Sequence, residues 1–183
     1  MDKETGRQLF HLAVGLVALG LLLYFGRGFA IAAVFSVLVI GMLIMNLRLL
    51  GFDIPLVLWF EKNFEREKVK LPGWGSACYA AGALMLLTFL TDTNEIAACI
   101  MILALGDSVS TIIGRHGKMK IPYNKSKTIE GSLAFFIASL SAYLFIGPTA
   151  MLLAALAAVV ESLPGLEDNL TIPMACTALM LIL

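Results

Sequence analysis

The chain has 183 residues, of which 60% are hydrophobic and only 14% charged, with a mean hydropathy of +0.91. A soluble globular domain carries about 25% charged residues, so this composition excludes one and is that of a single membrane-embedded domain covering residues 1–183. The 13 basic and 13 acidic residues leave no net charge, a total that argues neither for nor against nucleic acid; no nucleic-acid partner is expected. Cys78, Cys99 and Cys176 are odd in number and lack ligand spacing, which points away from a disulfide framework or a zinc site.

In chain order, apolar runs predict membrane helices at Leu9 to Phe25, Phe29 to Leu47, Trp74 to Leu90, Ile96 to Ile113, Ile129 to Ile146, Thr149 to Leu163 and Leu170 to Leu183. Crossing a bilayer takes about 20 apolar residues, so several of these runs must extend into their polar flanks. The first run lacks a small-residue cleavage site followed by a polar mature region and is expected to be retained. Between the second and third runs, Gly51 to Phe60 is too short to span. Asp53 before Ile54 and Pro55 predicts the start of a helix lying at the interface, a place where a lipid substrate can enter.

Basic residues set the expected orientation. Lys3 and Arg7 precede the first run; Arg48, Lys62, Arg66, Lys68 and Lys70 follow the second; Arg115, Lys118, Lys120, Lys125 and Lys127 follow the fourth. Only Arg27 lies opposite, and the positive-inside rule makes the basic side cytoplasmic. The expectation is an all-α polytopic bundle of about seven transmembrane helices, with the N-terminus cytoplasmic, the C-terminus outside and the active site on the cytoplasmic face.

The densest chemistry lies between Gly106 and Ser132. Asp107 is an ionisable residue within an apolar run, expensive to bury and therefore a functional candidate. Ser110, Thr111 and Gly114 follow it at helical spacing and give one small, polar helix face. Five cations follow within 13 residues, a density that suits polyphosphate, with glycines letting the backbone approach. Asp107 and Glu130 bracket this segment and suit magnesium, which takes one or two carboxylates together with phosphate oxygens. Thr128 is placed to start a helix whose first N–H groups face an anion. Glu4, Arg7 and His11 share a stripe at the entrance of the first helix. Glu161, Glu167, Asp168 and Asn169 form an acidic link with a turn at Pro164-Gly165, and Asp168 is a candidate for metal or nucleotide.

The run Gly106-Asp107 … Gly114-Arg115 … Gly117-Lys118 … Lys125-Ser126-Lys127-Thr128-Ile129-Glu130-Gly131-Ser132 resembles the signature of the CTP-dependent lipid kinases, which include dolichol or polyprenol kinase, phytol and farnesol kinase and the CTP-using diacylglycerol kinase. Glu167 to Pro173 resembles that family's second segment, and Glu4 … Arg7 … His11 its N-terminal helix. Phosphatidate cytidylyltransferases share part of the block, but they close on a His-Gly-Gly … Asp-Arg-x-Asp pattern where this chain has Leu163-Pro-Gly-Leu-Glu-Asp-Asn169. The resemblance implies transfer of the γ-phosphoryl group of CTP to the hydroxyl of a membrane lipid alcohol, with Mg2+. The alternatives are a cytidylyltransferase making a CDP-lipid and a non-enzymatic transporter.

On that reading Asp107 and Asp168 hold the metal, supported by Glu161 and Glu130. Arg115, Lys118, Lys125 and Lys127 clamp the phosphates. Gly106, Ser110, Gly114, Gly117, Ser126, Thr128, Gly131, Asn169 and Arg7 line the nucleotide. A carboxylate or His11 takes the hydroxyl proton. The expected partners are the nucleotide, the lipid alcohol and the bilayer, with a homodimer as an open expectation.

Overall fold

The computed structural model describes residues 3–64, 71, 73–165 and 167–183. Arg66, Lys68 and Lys70 of the second basic segment lie outside the described residues. Helix α1 (Lys3–Phe25) reverses at Gly26 into α2 (Arg27–Leu49). Gly26 sits at φ 82°, a left-handed conformation that a side chain would strain, so the reversal is tight because this residue is glycine. Helix α3 (Pro55–Phe64) begins on proline, whose fixed φ suits the first helical position. Helix α4 (Trp74–Phe89) follows, and Asp92 caps α5 (Thr93–Met101) by accepting the N–H groups of Asn94 and Glu95 at 2.8 and 3.1 Å.

A π turn, Ile102–Gly106, joins α5 to α6 (Asp107–Gly114) without a break. After the hairpin described below, α7 (Ile129–Ser139) passes through a 3-10 turn into α8 (Tyr143–Ile146). Helices α9 (Thr149–Ser162) and α10 (Asp168–Met180) complete the fold.

Helix thus occupies all seven apolar runs. Four continuous helical stretches are long and apolar enough to cross a membrane, Lys3–Phe25, Arg27–Leu49, Thr93–Gly114 and Ile129–Ile146; Trp74–Phe89 and Thr149–Ser162 are apolar but shorter. The chain is an integral membrane protein built mainly of α-helices. Thr93–Gly114 is the central rod, with 67% of its apolar window buried, while Arg27–Leu49, at 11%, is peripheral. Leu22, Leu86, Ile100, Phe135 and Leu153 fill the core, and Val37, Leu43, Leu144 and Val159 form part of an exposed apolar belt.

The all-α expectation needs one correction. Strands β1 (Lys120–Ile121) and β2 (Asn124–Thr128) form an antiparallel hairpin in which Lys120 pairs with Thr128 and Ile121 with Asn124. Pro122 and Tyr123 make the bend. Along β2, Asn124 and Thr128 are buried while Lys125 and Ser126 are exposed, so an extended strand seats two polar anchors and leaves cations outside. Asn124 Nδ2 donates to the carbonyl of Ser162 at 2.9 Å, and the Tyr123 and Ser162 hydroxyls lie 2.8 Å apart. These bonds dock the hairpin on the end of α9.

Candidate active site

The site forms where α6, β2, α7, α9 and α10 converge. Lys127 on β2 projects its ammonium between two carboxylates, 2.6 Å from Glu161 Oε1 and 2.7 Å from Asp168 Oδ2. Glu161, on α9, is 2% exposed, and its oxygens also accept the hydroxyls of Ser110 on α6 at 3.3 Å and Ser132 on α7 at 3.0 Å. One buried carboxylate therefore ties together four elements. Burial lowers the proton affinity of Lys127, but Asp168 and Glu161 more than offset this and raise its pKa above the ordinary lysine value. Lys127 is thus a permanent cation. Two of its three donors are used among the described residues, leaving a third for an anionic oxygen.

Asp107 is buried on the first turn of α6, within electrostatic reach of Asp168, Lys127, Arg7 and Glu161. The π turn that precedes it widens the helix just before the carboxylate, a device common at functional positions. Asp168 Oδ1 is buried without a hydrogen-bond partner, an arrangement that costs free energy unless something else supplies the missing charge. Asp107 and Asp168 can hold Mg2+, an ion that binds through one or two carboxylates and completes its shell with substrate phosphates and water. Among the described residues no group of three or more His, Cys, Asp or Glu side chains forms an all-protein cage. A metal arriving with a nucleotide fits this donor set.

Glu161 departs from its expected role as a metal ligand, because both its oxygens are engaged within the protein and make it the anchor of Lys127. Glu130 departs further. Its carboxylate accepts the backbone N–H groups of Lys118 at 2.8 Å and Met119 at 3.1 Å, clamping the loop after α6 to the start of α7. Thr128 caps α7 through Gly131 N–H at 3.1 Å and donates to the carbonyl of Gly114 at 3.1 Å, so its hydroxyl is satisfied internally.

The glycines serve packing. A side chain at Gly131 would stand 2.9 Å from Gly114 Cα, one at Gly117 2.6 Å from Thr128 Oγ1, and one at Gly106 3.0 Å from the Phe135 ring. Helices α6 and α7 meet closely because these side chains are missing.

Arg7 and Glu4 form the expected pair on α1, and Arg7 reaches the field of Asp107. His11 lies one turn farther along, buried edge-on against Tyr79 with ring centroids 4.7 Å apart. Asn169 is buried beside Gly75, its Nδ2 3.4 Å from the Gly75 carbonyl and its Oδ1 unpartnered. Arg115, Lys118, Lys125 and Ser126 are exposed on the loop and hairpin.

Sequence reasoning missed Ser132 as an anchor, although it closes the signature block. It also missed Tyr79, which lies in an otherwise apolar run with Ser76 three residues before it. A further signal was available at Gly82 and Pro173. A side chain at Gly82 would collide with the Asn169 carbonyl, and Pro173 lacks the N–H that would otherwise bond that carbonyl. The pair sets where α10, and with it Asp168, abuts α4.

No family model and no solved structure matches the chain. It is 36% identical over 175 residues to an uncharacterized protein of Methanocaldococcus jannaschii, covering 93% of this chain and 89% of that one. It is 30% identical over 198 residues to a protein of Glycine max named probable phytol kinase 3, chloroplastic, and 29% identical over 197 residues to the chloroplastic farnesol kinase of Arabidopsis thaliana. Those alignments take in 94% and 93% of this chain but 61% and 62% of the plant proteins, so the chain spans under two thirds of their length. Over most of its length the chain is thus similar to an archaeal protein and to plant proteins whose names are phytol kinase and farnesol kinase.

Proposed function

We propose that the protein transfers the γ-phosphoryl group of CTP to the primary hydroxyl of an isoprenoid alcohol held in the membrane. The observation that carries this reading is the Lys127, Glu161 and Asp168 cluster beside buried Asp107, assembled at the polar end of apolar helices. A soluble nucleotide and a lipid head group can meet only at such a boundary. Phosphoryl transfer asks for positioning and charge stabilisation more than for covalent chemistry from the protein.

In this reading the alcohol oxygen attacks the γ-phosphorus, the bond to the β–γ bridging oxygen breaks, and CDP departs while the hydroxyl proton passes to a carboxylate. Asp107 and Asp168 would hold Mg2+, which would neutralise phosphate charge when bound. Lys127, fixed by Glu161, directs its third donor at a phosphate oxygen. Arg115, Lys118 and Lys125 draw the polyphosphate in from the cytoplasm. With seven spans, the N-terminus and this site would lie inside and the C-terminus outside, the orientation that the basic residues favour.

The test is to incubate the purified protein in detergent with γ-labelled CTP, Mg2+ and a panel of isoprenoid alcohols and diacylglycerols, following label into the lipid phase. Labelled lipid phosphate, abolished by chelating the metal, is the expected result. Pyrophosphate release with phosphatidic acid, without label in lipid, overturns it in favour of a cytidylyltransferase.

A further inference from the structure

One apolar space lies outside the ion-pair cluster. A cavity of about 300 Å³ runs between α2, α3 and α4, lined by Leu38, Gly41, Met45, Val57, Ala77 and Ala80 among others. Helix α3 roofs it and is fastened at both ends. Arg48 binds Asp53 at 2.6 Å and Glu61 at 3.0 Å, while Phe10 of α1 packs against Phe60 and Phe64 with centroids 4.9 and 5.7 Å apart. At Phe60, Gly73 and Ser76 the cavity shares its wall with a second space of about 70 Å³ that reaches Arg7, His11 and Glu167. Glu167 adjoins Asp168 in the chain, and Arg7 lies in the field of Asp107. An apolar chamber among membrane helices therefore adjoins, across a shared wall, a small space that reaches toward the ion-pair cluster.

We infer that the α2–α3–α4 cavity holds the hydrocarbon tail of the lipid acceptor, with the hydroxyl at the Phe60–Gly73–Ser76 wall, on the side of Arg7 and the acidic cluster. This rests on the lipid-alcohol reading above and assigns its acceptor a place and a specificity device. The chamber is lined mainly by apolar side chains, and the space beyond its shared wall is only about 70 Å³. Such a shape selects a single-chain alcohol over a glycerolipid. The shallow, open hollow of about 490 Å³ between the hairpin, α7 and α9 has no such roof and is the competing location.

Gly41 is the position to block, because it lines the chamber and a Cβ added there meets nothing within 4 Å. The experiment uses the full-length protein in detergent, a long-chain isoprenoid alcohol bearing a mid-chain photoreactive diazirine, and the variants Gly41→Phe and Ala80→Phe. The expected result is crosslinking to peptides of α2 and α4 that both variants suppress. The KM for the long-chain alcohol should also rise at least about tenfold while the KM for nucleotide stays put. Crosslinks on α7 and α9, with the long-chain KM unchanged in both variants, overturn the inference even if phosphate is still transferred. Crosslinks in the chamber without phosphate transfer to any alcohol support the chamber and overturn the kinase reading instead.

Discussion

Glu161 contributes more to the site than any other single side chain, because removing its charge strands Lys127 and frees two hydroxyls together. Glu161→Gln is expected to cost about 3 kcal/mol, the scale for breaking a buried ion pair, and to lower turnover in parallel. Thermal unfolding in detergent measures the first, and a double-mutant cycle with Lys127→Met separates the pair from its surroundings. Asp107 should behave differently. It stands in the field of both signs of charge, so Asp107→Asn should leave the unfolding temperature nearly unchanged while turnover falls at least about 100-fold. A variant that keeps full activity would remove Asp107 from the metal site.

At the scale of elements, the closest junction is that of α6 with α7, where Gly114 and Gly131 stand in for side chains. Gly131→Val should destabilise the protein by about 1–3 kcal/mol through overpacking, read from the melting temperature. Helix placement was legible in the sequence because long apolar runs have few alternatives in a bilayer. Thr128 was likewise legible as a cap, since a hydroxyl ahead of an apolar helix satisfies N–H groups that nothing else can.

The hairpin was not legible. Its strands are two and five residues long, rich in Lys, Ser and Asn, and held by contacts with Ser162 some 38 residues away that no local pattern encodes. For the same reason Glu130 read as a site carboxylate. Sequence gave its proximity to the cations, whereas only the folded loop reveals that its oxygens accept backbone N–H groups.

At the scale of the whole molecule, the two ends of the bundle differ in kind. The end bearing Arg27 is closed by simple caps, with Arg27 donating to the carbonyls of Leu87 and Thr88 at 2.8 Å each and Asp92 capping α5. The other end gathers the hairpin, the ion pairs and the exposed cations. The proposed orientation predicts that Lys118→Cys and Thr91→Cys face opposite compartments. An impermeant maleimide applied to sealed vesicles of known sidedness should label one and spare the other, against a silent background because all three native cysteines are buried. Labelling of both from one side would overturn the orientation.

The dependence of Lys127 on Glu161 and Asp168, which follow it by 34 and 41 residues, also bears on biogenesis. During synthesis Asp107 and Lys127 emerge and enter the membrane before either carboxylate exists. The nascent chain therefore carries an unpaired cation at the bilayer edge until α9 and the start of α10 arrive. A ribosome stalled after Gly147 should yield helices that insert but a hairpin that does not dock, and proteases should cut it there. Completion of α9 is the step that converts an inserted chain into a folded one.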